Sequence, residues 1–195
     1  MKFNLTDVFN LIKERRTVGP GKFKDRVVHK EQIEKMIEAA NWAPTHGLTE
    51  PWRFKVFSGE GLKNLLQFQA DFYKKNTSEE SFLQSKYDGI IGRAAKTTYV
   101  IAICMKRQET EKIPEIEEVM ATAAAVQNMS LMATAYGMGT LWSTGFGIFS
   151  EDMKQFLGLG AKDKCLGTLY VGYPEGEWPQ GKRNTWLNKV EWIEE

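Results

Sequence analysis

Residues 115–136 form a helical run with almost no polar face. Ala121, Ala123, Ala124, Ala125, Met129, Leu131, Met132, Ala133 and Ala135 leave it apolar nearly all round, and Gly137 stands where a helix would stop. An ordinary surface helix carries one apolar stripe, so this one has to be covered on most sides. In a chain of 195 residues, one way to cover it is against the same helix of a second copy. Residues 97–105, TTYVIAICM, are of strand length and nearly continuously apolar. They read as a strand buried on both faces, which requires helices in front of and behind a sheet.

The totals remove several function classes. With 26 basic and 25 acidic residues the net charge is +1, too balanced for a nucleic-acid or acidic-membrane footprint. Cys104 and Cys165 lie in apolar runs without metal-ligand spacing, so they read as reduced core thiols, and a cytoplasmic protein is expected. The N-terminus breaks its apolar positions with charge and predicts neither a signal peptide nor a membrane span. His29 and His46 are the only histidines, with no paired acidic spacing around them, and there is no GxSxG. Metal and triad chemistry both recede, which supports a cofactor carrying the chemistry. The six Trp and eleven Phe fit a core, a dimer interface or a flat ligand slot.

Periodicity predicts helices over 6–15 (Thr6 as N-cap), 30–42, 60–75 and 115–136, a short helix capped by Ser150, and strands over 53–57, 97–105 and 165–173. Residues 74–93 include a polar stretch that serves either as a lid over a site or as a solvated connection. The last ten residues are too apolar to dangle and either pack on their own fold or reach across a partner subunit. No boundary divides the chain, so residues 1–195 read as one domain.

Four places carry possible chemistry. The stretch 41–58, NWAPTHGLTEPWRFKVFS, is a helix end, a polar turn and a strand, because Pro44 and Pro51 forbid helix through it; it presents Thr45, His46, Thr49 and Glu50 to a ligand, or merely connects. Arg15, Arg16 and Thr17 suit a phosphate, although a basic helix C-terminus answering the dipole explains the arginines as well. Residues 137–147 hold four glycines and three hydroxyls around Trp142 and let backbone approach a ligand, but the spacing is not GxGxxG. Lys182 and Arg183 are a second basic pair.

Taken in order, RRT at 15–17, APTHGLTEPWRFKVF at 43–57, the small-residue helix running into GMGTLWSTG at 137–145, and LYVGYP at 169–174 resemble the flavin-dependent nitroreductase family over nearly the whole chain. The histidine-containing turn is most similar to the short YdjA-type members. The resemblance implies an α+β three-layer fold with a mixed, mainly antiparallel sheet flanked by helices, and an intertwined homodimer with one FMN at each of two interface sites. It implies that Arg15, Arg16 and Thr17 bind the phosphate and ribityl side, with Lys182 and Arg183 as a second phosphate pair. Trp142, Ser143 and Thr144 would lie along the flavin, and Trp42, Pro44, Thr45 and His46 would close the site from the partner. No side chain is implied as an obligatory acid, base or nucleophile.

The implied activity is an FMN-dependent NAD(P)H oxidoreductase: hydride from NADH or NADPH goes to flavin N5, and reducing equivalents then pass to a nitroaromatic, quinone or related flat acceptor by ping-pong turnover. The alternatives are a flavoenzyme of the same superfamily with another reaction, such as dehalogenation or flavin breakdown, and a non-catalytic flavin-binding protein. Leu48, Glu50 and Gly19 depart from the residues many members carry, and Gly19 leaves open which group faces the pyrimidine edge of the flavin. Ser143 replaces an arginine of the YdjA-like proteins, for which Arg183 is the expected compensation.

Overall fold

A computed structural model describes residues 2–194. Four strands, β1 (Trp52–Ser58), β2 (Tyr99–Met105), β3 (Gly139–Ser143) and β4 (Lys164–Gly172), form one sheet in the order β1-β2-β4-β3, with every neighbouring pair antiparallel. The sheet is mixed only through a lone parallel bridge between Thr17 and Thr140.

Alternation along the central strands builds the layers. Ile101, Ile103, Leu169 and Val171 face one core with α2 (Lys30–Ala40) and α5 (Glu115–Ala135). Val100, Ala102, Cys104 and Tyr170 face the other, with α3 (Gly59–Lys75) and α6 (Glu151–Phe156). Because side chains alternate across a strand, the continuous apolar run of β2 feeds both cores at once. This is the expected three-layer α+β arrangement.

The small residues of α5 let it sit close to α2 and the sheet: Ala121, Ala125, Met129 and Ala133 are buried. Its remaining face is not covered within one chain, and Ile116 and Met120 are 57 % and 62 % exposed. The apolar face of α1 (Leu5–Glu14) is likewise open, with Val8, Phe9 and Ile12 all exposed.

Several expectations change. Asn4, not Thr6, caps α1; its side chain accepts from the backbone N–H of Thr6 and Asp7, placing the cap two residues earlier. The glycine-rich stretch contains strand β3, held by its ladder to β4. Residues 74–93 include a helix, α4 (Gln84–Ile91), anchored to α3: Ile90 is buried, the Leu83 N–H donates to the Tyr73 hydroxyl at 3.0 Å, and Tyr73 stacks on Phe82. That is an ordered packing element on the α3 side, not a free polar flap. The C-terminal segment does not pack on its own fold, since Trp186, Leu187, Trp192 and Ile193 are all exposed.

Candidate functional site

Thr17, Val18 and Gly19 run beside β3. The Val18 N–H donates to the Thr140 carbonyl at 3.0 Å, and a Cβ at Gly139 would stand 2.5 Å from the Val18 side chain, so glycine is needed for this approach. The chain leaving α1 is thereby fixed against the start of β3 at Gly139 and Thr140. At the end of β3, the Trp142 indole N–H donates to the Leu166 carbonyl at 2.9 Å, leaving the ring 37 % exposed at the surface. Gly167, at φ +148°, makes room for it.

The tail brings in the third cation. Trp178 donates to the Glu14 carbonyl at 3.0 Å, and Arg16 Nε donates to the Pro179 carbonyl at 2.8 Å, so residues 178–183 cross the end of α1. Arg15, Arg16 and Arg183 then line one cavity of about 700 Å³ together with Lys13, Phe9, Ile12 and Gln127. Among the described residues no carboxylate pairs with any of the three guanidinium groups within 4.0 Å. Partial burial, then repulsion from Arg183 and from Arg16, pulls the Arg15 pKa below its ordinary value. It stays charged at neutral pH, and a cluster that repels itself is one an anion stabilises. Lys182 does not line this cavity; its carbonyl accepts from Arg183.

The turn after α2 lies elsewhere. Thr45 and Thr49 share a hydrogen bond at 3.1 Å, the Glu50 N–H donates to Thr45 Oγ1 at 3.3 Å, and His46 Nδ1 lies 2.6 Å from a Glu117 carboxylate oxygen near the start of α5. Leu48 and Glu50 sit at φ +52° and +42°, the left-handed region that β-carbons disfavour. Trp42 is 82 % exposed. Within one chain, therefore, Arg15, Arg16 and Arg183 line one cavity and Thr17 pairs with Thr140 of β3, whereas Trp142 and Ser143 at the far end of β3 and Thr144 just beyond it do not line that cavity. Trp42, Pro44 and His46 are exposed and Thr45 is half-buried, and none of the four lines the arginine cavity; Trp42 lines a cavity of about 380 Å³ with Leu11 of α1 and with Asn128 and Met132 of α5.

Sequence reasoning missed Glu117, Gln127 and Arg93. Gly19 opens on a cavity of about 530 Å³ whose walls also carry Lys22, Arg93 and Lys96, so cations reach that pocket without a side chain at position 19. Arg93 is held there by a 3.1 Å hydrogen bond to the Tyr170 hydroxyl. No local pattern marks these residues: Gln127 lines the arginine cavity, Arg93 lines the cavity at Gly19 and Glu117 meets His46, each beside residues distant in sequence. A further cavity of about 620 Å³, beside the 107–119 and 148–166 segments, contains none of the candidate cofactor-binding residues named from the sequence. Its rim charges are already matched in the pairs Lys162–Glu111, Lys164–Glu115 and Lys154–Glu151.

The donor set fits FMN: guanidinium groups without a carboxylate partner among the described residues for a dianionic phosphate, an apolar lining from Phe9 and Ile12, and, on β3, an exposed indole. The chain is 30% identical over 177 residues to YfhC of Bacillus subtilis, which carries NAD(P)H nitroreductase as a provisional name; the match covers 90% of this chain and 88% of that one. A crystal structure of a nitroreductase-like family protein from Bacillus cereus superposes over 100% of both chains with a TM-score of 0.82 and 31% identity. A nitroreductase with bound FMN from Bacteroides fragilis shares the fold, with a TM-score of 0.69 and 17% identity over 98% of this chain and all of that one. The profile of the nitroreductase family matches residues 12–173, and the chain belongs to that family.

Proposed function

We propose that this oxidoreductase of the nitroreductase family is an FMN-dependent NAD(P)H oxidoreductase working as a homodimer. The observation that carries the reading is the cluster of Arg15, Arg16 and Arg183 around one cavity with no carboxylate of the described residues to balance it. Arg15, Arg16, Thr17, Arg183 and Lys182 would hold the phosphate and ribityl side, and Trp142, Ser143 and Thr144 would lie along the ring. Trp42, Pro44, Thr45 and His46 of a second copy would close the site. When bound, FMN supplies the redox chemistry, accepting hydride from a reduced nicotinamide and passing reducing equivalents to a flat electrophile such as a nitroaromatic or quinone. The protein binds, orients and excludes water.

The open apolar faces of α1 and α5 support the dimer, since an uncovered Val8, Phe9, Ile12, Ile116 and Met120 on two adjoining helices is more apolar surface than a monomer keeps without a partner. In this reading Lys22 and Arg93, which line the cavity at Gly19, would supply positive charge that position 19 does not.

The test is an absorbance spectrum of the purified protein followed by anaerobic addition of NADH and, separately, NADPH. Flavin bands that bleach support the reading and identify the donor. Protein that is colourless and fails to bind added FMN overturns it, and flavin bands that neither nucleotide bleaches indicate a flavin-binding protein without this turnover.

A further inference from the structure

His46 and Glu117 are 71 residues apart in sequence, and the fold brings Nδ1 of the imidazole to 2.6 Å from the carboxylate. Glu117 is the third residue of α5, and its own N–H donates to the Pro114 carbonyl at 3.0 Å. A carboxylate in the first turn of a helix is favoured by the backbone dipole. The turn that carries His46 is seated on the same region: Gly47, at φ +58°, lies where a Cβ would stand 3.4 Å from the Ile113 side chain. Two elements therefore fix this contact from both sides.

We propose that Glu117 is a positioning residue for His46. An ionised carboxylate only accepts, so Nδ1 must carry the hydrogen. The neutral imidazole is then locked as the Nδ1–H tautomer, with Nε2 as an acceptor that has no protein partner among the described residues. The side chain of His46 remains 62 % exposed in the single chain, so Nε2 is available to a donor across a subunit interface. Glu117 sets both which nitrogen faces outward and whether it donates or accepts. This rests on the reading that His46 closes the FMN site of a second copy, and it goes beyond that reading by assigning the tautomer and the residue that enforces it.

The proposal is tested by nitrogen-15 NMR of the full chain with labelled histidine, above about pH 8, where an ordinary imidazole is neutral. Only two imidazoles are present, and His46→Ala assigns them. The Nδ1–H tautomer is expected for His46 in the parent protein, with a shift toward Nε2–H in Glu117→Ala. Glu117→Gln, whose amide oxygen still accepts from Nδ1–H, should preserve the parent pattern. FMN affinity, read by fluorescence quenching, should fall about tenfold in Glu117→Ala. In a His46→Ala background the same change should have no further effect, because Glu117 acts through His46. A parent His46 protonated on Nε2, or an equal loss of affinity in both backgrounds, overturns the proposal. Failure of the parent protein to bind FMN would instead overturn the functional reading on which it stands, a result separable from the tautomer measured without cofactor.

Discussion

Gly181 lies against the guanidinium of Arg16: a Cβ built at position 181 would stand 2.1 Å from Nη2. The tail is therefore packed directly against the second arginine beyond the end of α1. Gly181→Ala should push the guanidinium aside without disturbing the core, because the obstructing atom is the far end of a flexible side chain. FMN affinity is expected to fall about tenfold, the scale of one charge-assisted contact, while stability falls by about 1 kcal/mol, because Arg16 also donates to the Pro179, Lys13 and Arg15 carbonyls. Flavin fluorescence titration alongside thermal unfolding separates the two effects.

The uncovered face of α5 gives an assembly prediction. Met120 is 62 % exposed and Ile116 57 % exposed in the single chain. Met120→Glu should raise the dimer dissociation constant at least about tenfold and reduce FMN binding with it. Sedimentation velocity over a concentration series reads the first, and flavin absorbance the second. A variant that stays dimeric at the parent's concentrations would show that this face is not the interface.

Arg107 and Glu118 form an ion pair with side chains 8 % and 1 % exposed, backed by Gln108 and the Ile113 carbonyl. Glu118→Ala leaves a buried guanidinium uncompensated and should cost about 3 kcal/mol. Lys164 and Glu115 are about half exposed, and Glu115→Ala should cost less than about 1 kcal/mol. Urea unfolding of the two variants compares them directly.

Cys104 and Cys165 face each other across β2 and β4 at the register shift between Ile103 and Cys104. Hydrogen bonding to Cys165, then burial, pushes the Cys104 thiol well above its ordinary pKa. A raised thiol pKa means less thiolate at any given pH, so Cys104 should resist alkylation in the native protein at pH 8 and react only on unfolding. Mass spectrometry after iodoacetamide treatment, with and without denaturant, checks this.

The pattern of success in reading the chain follows from where each signal lies. The helices α2, α3 and α5 and the strands β1, β2 and β4 carry their period locally, and each was legible within a residue or two. At the start of α1, Asn4 and Thr6 are both competent caps, and only the hydrogen bonds of Asn4 decide between them. Strand β3 has glycine at its first position and a serine at its last, and its identity comes from pairing with β4. Arg15, Arg16 and Arg183 could be named singly, but their convergence depends on a tail crossing α1 through Trp178 and Pro179. Lys182, adjacent in sequence, does not join them in the cavity.

The turn holding His46 also bears on how this protein would respond to selection in the laboratory. Leu48 and Glu50 occupy left-handed backbone that glycine or asparagine adopts with less strain. Replacing Leu48 with glycine should raise stability by a few tenths to about 1 kcal/mol. A thermostability screen run without cofactor would therefore favour substitutions at these two positions early. The same screen run on flavin retention would judge them by whether the turn keeps its shape, and divergence between the two sets of survivors would measure how far the site is held in place by a conformation the isolated backbone resists.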